Sequence, residues 1–160
     1  MTKVYLFDWG DTLMVDFPDL PGKMCDWVNV EMVEGAESVL SQLSANARIF
    51  IATNAAESSE DDIRKAFERV GLAQYITGYF CKANLGIGKG SPEFFYKIAE
   101  ILGVPAESIT MVGDSIKNDI EPALKAGVAA VWFNSRQHTP EISTTGYRQI
   151  HCLHELCLRD

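Results

Sequence analysis

A chain of 160 residues, 47% of them hydrophobic, is long enough to build one domain around a proper core, and one domain is expected over residues 1–160. Its formal net charge of −8 and pI near 4.8 exclude the basic stripe that a nucleic-acid or anionic-membrane surface needs, which leaves small molecules or neutral proteins as partners. The first residues lack a basic-then-apolar leader, and the apolar run at 127–133 is far too short to span a bilayer, so a cytoplasmic chain without membrane contact is expected.

Residues 4–7, Val-Tyr-Leu-Phe, read as a buried strand that delivers Asp8 to the carboxyl edge of a sheet. The stretch that follows, Asp8-Trp9-Gly10-Asp11-Thr12, sets two carboxylates on either side of a glycine; alternation turns Trp9 away from Asp8 and into packing. Residues 14–33 carry Pro18, Pro21 and Gly22, which suggest a hairpin flap with Phe17, Leu20, Met24 and Trp27 as a small apolar cover. Ala36, Val39, Leu40 and Leu43 then recur at helical spacing, and residues 48–52 form a strand ending in Thr53-Asn54. Glu60, Asp61 and Asp62 suit a helix N-terminus, with Ile63, Ala66, Phe67 and Val70 on its apolar face and Gly71 as its stop.

A Gly-rich loop, residues 86–90, ends in Lys89-Gly90; Ser91-Pro92-Glu93 caps the next helix, which runs through Phe94, Phe95, Ile98 and Leu102 to Gly103. Residues 109–112 make the next strand and lead into Gly113-Asp114-Ser115; Asp119 opens a helix that closes at Gly127, before a strand over 128–133. Strands and helices alternating at these lengths imply an α/β, doubly wound (Rossmann-like) parallel sheet with helices on both faces. Near the C-terminus, His151, Cys152, His154 and Cys157 invite a zinc reading. Their spacing matches no standard ligand pattern, and Leu153, Leu156 and Cys157 fit the apolar face of a short terminal helix instead. With no CxxC pair, Cys25, Cys81, Cys152 and Cys157 read as reduced thiols.

The residues just after the strands, Asp8, Asp11, Thr53, Asn54, Asp114 and Asp119, should converge on one edge, where Lys89 can join them. Acids gathered in a cleft repel one another unless a hard cation is present, and carboxylates with a backbone carbonyl are a ligand set for Mg²⁺. Thr53, backbone N–H groups and Lys89 are donors suited to phosphoryl oxygens.

Asp8 with Thr12, Thr53 in IFIATN, Lys89 in KGSPEFF and the loop GDSIKND, residues 113–119, together resemble the four ordered motifs of the haloacid dehalogenase-like hydrolase superfamily. The resemblance covers most of the chain. It implies that Asp8 is a nucleophile forming an aspartyl phosphate, that Asp8, the Gly10 carbonyl and Asp114 hold Mg²⁺ with Asp119 supporting the metal, and that Thr53 and Lys89 bind the transferring phosphoryl group of a small phosphorylated substrate. Asn118 either orients Asp114 or shapes the loop.

The chain departs from that pattern in two places. Phosphatases of the family carry an acid two residues after the nucleophile, where this chain has Gly10, with Asp11 in the place usually held by glycine. Either Asp11 reaches in as a displaced catalytic acid, or no side chain of this loop protonates the leaving group; the second alternative implies a preference for aryl or acyl phosphates. The other departure is the short 14–33 segment in place of a cap domain, which implies an open site that accepts a bulky substrate or borrows a lid from a second subunit of a homo-oligomer. A phosphoacceptor receiver domain is disfavoured because its second-strand and GDSIKND counterparts do not match. A degenerate relative that binds Mg²⁺ and phosphate, or a protein, without turnover is the alternative function, supported by Gly10.

Overall fold

Alternation within the first strand divides the core into two halves. In the computed structural model, which describes residues 3–55, 57–139 and 145–158, strand β1 (Lys3–Phe7) sends Tyr5 and Phe7 into one hydrophobic cluster and Val4 and Leu6 into another. Both clusters are sealed because β1 lies inside the sheet, paired in parallel with β2 (Ala47–Ala52) on one side. Beyond β2 lies β3 (Gly78–Phe80), while β4 (Ile109–Gly113), β5 (Ala129–Phe133) and β6 (Arg148–Ile150) continue the other flank. The order is β3-β2-β1-β4-β5-β6 and every pairing is parallel, as a doubly wound sheet requires.

Helices α1 (Ala36–Ser44) and α2 (Glu60–Arg69) cover the Tyr5 and Phe7 face with Val39, Leu40, Ile63 and Phe67. The short α3 (Lys82–Leu85) adds Leu85 to the opposite cluster. That face is mainly covered by α4 (Pro92–Leu102) and α5 (Glu121–Lys125), through Phe94, Phe95, Ile98 and Ala123. None of these helices is long and apolar enough to cross a membrane among the described residues.

Three local readings are corrected. The 14–33 segment is no hairpin: it makes only isolated bridges, Gly10 to Met14 and Met14 to Met32, and then a 3₁₀ turn, Met24–Asp26. Pro18 and Pro21 lack the N–H groups that a second strand would need. Its cover is also partial, since Met24 is buried whereas Phe17 and Leu20 are 36% and 44% exposed. The helix expected from Asp119 begins earlier, as a π-helical turn over Ile116–Ile120 that passes into α5. The C-terminal turn, Leu153–Cys157, is 3₁₀ rather than α-helical. There the Glu155 carboxylate accepts from the backbone N–H groups of His151 and Cys152, His151 Nδ1 lies 3.0 Å from Asn134 O, and the His154 ring packs at Gly35. All four cysteines are free thiols.

Although irregular, the 14–33 segment is tethered. Lys23 Nζ lies 2.8 Å from Asp62 Oδ2 at the start of α2. Arg69, at the end of the same helix, donates to the carbonyls of Cys25, Trp27 and Val28. Clamping by both ends of one helix gives the segment a fixed position beside the carboxyl edge of the sheet.

Candidate active site

The chain winds outward in opposite directions from β1 and β4, and the carboxyl ends flanking such a reversal form a natural crevice. Asp8 leaves β1 there, its N–H donating to Val112 O of β4 at 2.9 Å, and Asp114 leaves β4 beside it. Thr53 leaves β2 with its N–H on Phe80 O at 3.0 Å. The resulting cleft of about 430 Å³ brings together Asp8, Gly10, Thr53, Asn54, Lys89, Asp114 and Asp119 on one wall system.

Lys89 is the centre of the arrangement. Only 3% exposed, it places Nζ 2.7 Å from Asp8 Oδ1 and 2.6 Å from Asp119 Oδ1. Its loop is held by Asn54, whose Oδ1 accepts from Lys89 N at 2.5 Å. Gly88 permits this approach, because a Cβ there would stand 2.7 Å from the same Asn54 oxygen. Asn54, expected at this edge as a strand-end residue, therefore orients Lys89. Thr12, fully buried, donates its hydroxyl to Asp8 Oδ2 across a long 3.4 Å. The Thr53 hydroxyl accepts from Ala55 N at 3.1 Å, which leaves its hydrogen available to an anionic oxygen.

The loop after β4 explains its own sequence. Asp119 folds back under the sheet edge, where Ser115 N donates to its Oδ2 at 3.2 Å, and a Cβ at residue 113 would collide with its carboxylate, so that position is glycine. The π-helical turn makes the return possible: both Asp119 N and Ile120 N bond to Ser115 O, and such turns occur frequently at functional sites. Asn118 N donates to Ser115 Oγ, a loop-shaping bond, while its residue also lines the cleft.

One oxygen each of Asp8, Asp114 and Asp119 lies within 4.8 Å of the others. Asp114 is exposed as a residue, but the desolvated walls around its carboxyl, followed by its contact with Asp8 and the charge of Asp119, hold it above the usual carboxylate range. Asp119 is raised as well, by burial first and Asp8 second, against the opposing pull of Lys89. Burial lowers the Lys89 ammonium, yet Asp8 and Asp119 more than offset it and keep its pKa above the ordinary lysine value. A cluster of hard oxygen donors whose ionisation is opposed by mutual repulsion fits a divalent cation such as Mg²⁺.

The structure does not bring Asp11 to this cleft. Its backbone is left-handed, with φ of 60°, its N–H bonds to Met14 O at 2.7 Å, and its residue lines an adjoining cavity with Glu34, Arg136 and His138. The one-residue offset from Gly10 therefore sends the carboxylate elsewhere; its Oδ1 accepts from Asp16 N at 3.0 Å. Among the cleft residues that sequence reasoning did not single out are Asp16 and Lys23. Neither stands at a strand end or in a periodic pattern, so only the folded path of 14–33 reveals them. Burial, and then the charges of Asp11 and Asp8, push the Asp16 carboxyl up.

A family model described as a haloacid dehalogenase-like hydrolase matches residues 10–127. The chain is 30% identical over 155 residues to the pyrimidine 5′-nucleotidase YjjG of Escherichia coli K12, covering 92% of this chain and 66% of that protein. It is 26% identical over 117 residues to the N-acylneuraminate-9-phosphatase of Rattus norvegicus, covering 72% and 46%. The chain thus spans between about half and two thirds of the length of these relatives. Its fold is similar to the crystal structure of a phosphatase of this type from Thermococcus onnurineus, with a TM-score of 0.81 at 19% identity over 97% of this chain and 96% of that one. It is also similar to a 2-haloacid dehalogenase from Pseudomonas syringae, with a TM-score of 0.79 at 19% identity over 98% and 97%.

Proposed function

The chain belongs to the haloacid dehalogenase-like hydrolases, and from that premise we propose that it is a single-domain, minimally capped phosphatase acting on a phosphomonoester or acyl phosphate, with Mg²⁺ as cofactor. The observation that carries this reading is the buried Lys89 bridging Asp8 and Asp119 beside Asp114 at the sheet's switch point. A halide-displacing reading has less support, because acids clustered for a hard cation are suited to phosphoryl oxygens.

Asp8, the Gly10 carbonyl and Asp114 would hold the cation, with Asp119 behind them; when bound, it neutralises charge on the phosphoryl oxygens. Asp8 is the nucleophile: one carboxylate oxygen attacks phosphorus in line with the departing oxygen, forming an aspartyl phosphate that water then cleaves. Lys89 binds a phosphoryl oxygen and shields the nucleophile from the negative charge it must approach. The Thr53 hydroxyl and the backbone N–H groups after β1 bind the remaining oxygens. Asn54 keeps the Lys89 loop in place throughout.

The test is a screen of phosphorylated metabolites with purified protein and Mg²⁺, run beside Asp8→Asn. Hydrolysis that falls by about 10³-fold or more in the variant supports covalent catalysis. Most of the activity surviving in Asp8→Asn would place the nucleophile elsewhere. Gly10 favours a second reading, a non-catalytic binder of Mg²⁺ and phosphate; phosphate binding by isothermal titration, with no turnover of any substrate, is its signature.

A further inference from the structure

An alkoxide leaves phosphorus rapidly only if it is protonated as the bond breaks. The acids lining the cleft are Asp8, Asp16, Glu57, Asp114 and Asp119. Asp8, Asp114 and Asp119 belong to the cluster that faces Lys89 and would hold the cation, so among the lining acids the other two are left to supply a proton to the leaving oxygen. Both are exposed as residues, but Glu57, on the loop after β2, has no bond that orients it among the described residues, whereas the backbone of Asp16 is anchored. Its backbone N–H is fixed by Asp11 Oδ1 at 3.0 Å, and its side chain leans over Gly10, where a Cβ would lie 3.4 Å from Asp16 Cβ and 3.8 Å from its Oδ2. Gly10 thus leaves open the space beside the nucleophile's own loop, and a carboxyl arriving from residue 16 occupies it. Lys23, the nearest flap cation on the cleft wall, is engaged by Asp62 rather than by Asp16.

We propose that Asp16 is the acid and base of the reaction, with Asp11 as the positioning residue that holds it. The role rests on the phosphatase reading above. In the first step an Asp8 oxygen bonds to phosphorus, the bond from phosphorus to the leaving oxygen breaks, and that oxygen keeps the electron pair and takes the proton of the Asp16 carboxyl. In the second, Asp16 carboxylate removes a proton from water as the water oxygen bonds to phosphorus. The bond to Asp8 then breaks, giving inorganic phosphate, and Asp16 is again protonated. The 14–33 segment, clamped to α2 through Lys23 and Arg69, is what carries this side chain to its place.

The experiment measures kcat/KM, which reports the step that expels the leaving group and not the cleavage of the common aspartyl phosphate, for phosphate monoesters running from nitrophenyl to alkyl leaving groups, for wild type, Asp16→Asn, Asp11→Asn and Asp11→Ala. Wild type should show a shallow dependence on leaving-group pKa. In Asp16→Asn the alkyl-to-nitrophenyl rate ratio should fall by about 10²–10⁴-fold. Because the ratio is read within one protein, partial loss of folded enzyme cancels. Asp11→Ala, which removes the acceptor for Asp16 N, should steepen the slope part of the way, and Asp11→Asn, which keeps an acceptor oxygen, should rescue it; an unchanged slope in Asp11→Ala would remove Asp11 from the positioning role. A steep slope already present in wild type, or equal slopes in wild type and Asp16→Asn, would overturn the proposal; steepening in Asp11→Asn alone would give the role to Asp11. Failure of the phosphatase reading looks different: no ester, nitrophenyl included, would be cleaved in an Asp8-dependent manner.

Discussion

Lys89 shows how much a single side chain's role depends on its surroundings. As a residue in a Gly-rich loop it reads as a charge that contributes little to the core, so its removal would be expected to leave the fold intact. In the structure it is 3% exposed and wedged between two carboxylates, one of them, Asp119, only 1% exposed. Truncating one partner of a buried ion pair leaves uncompensated charge, at a cost of about 3–5 kcal/mol. Lys89→Met is therefore expected to lower stability by about that amount in urea denaturation without Mg²⁺, besides lowering turnover. An unchanged midpoint would mean that the pair contributes nothing to folding. Asp8, Asp114 and Lys89 were legible because each follows a strand or precedes a helix opened by Pro92 in a recognisable motif; the Ser91 side chain, expected as that helix's cap, makes no capping bond. Asp16 was not legible, since no periodicity or motif links it to Gly10; a bend of the chain does.

At the scale of elements, α2 is both a wall of the core and the clamp of the 14–33 segment. Its first turn carries a capping box: Ser59 Oγ accepts from Asp62 N at 3.2 Å while Asp62 Oδ2 accepts from Ser59 N at 3.0 Å. The same Asp62 carboxylate takes Lys23, and that bond, with the Ser59 backbone bond next, holds its pKa down at about 2. A depressed carboxylate stabilises the fold fully above its unfolded pKa of about 3.9 and loses that contribution as pH falls through its folded value. Urea denaturation of wild type and Asp62→Asn should then differ at neutral pH, with the gap closing as pH drops from about 4 towards 2. A gap independent of pH would remove the carboxylate from the account. The acidic start of α2 was readable from Glu60-Asp61-Asp62, whereas β3 and β6 were not, because three-residue strands are too short for alternation to declare itself. The π-helical turn before α5 was hidden for another reason: it exists to return Asp119 beneath Gly113, a contact between a strand end and a helix start.

For the whole molecule, a cation held by the acidic cluster would make folding and cation binding one equilibrium. A cation that binds the native cluster and not the unfolded chain stabilises by mass action, about 2.7 kcal/mol at a hundred times its dissociation constant. Mg²⁺ should accordingly raise the melting temperature in a concentration-dependent way, and excess EDTA should reverse the shift and abolish turnover. Full activity in chelator, with no thermal shift, would sink the metal assignment.

By itself the sequence determined the alternating α/β plan, the helix starts marked by Glu60-Asp61-Asp62 and Ser91-Pro92-Glu93, and the set of strand-end residues from which the site is built. These depend on local periodicity, capping and turn chemistry, which a chain carries in adjacent positions. Only the tertiary structure decided that Asp11 turns out to a neighbouring cavity, that Lys89 is sealed between Asp8 and Asp119, and that Asp16 fills the space above Gly10. Each of these is a matter of which distant groups share a small, poorly solvated volume, and that is settled by how the layers pack around the switch point rather than by any neighbouring pair of residues.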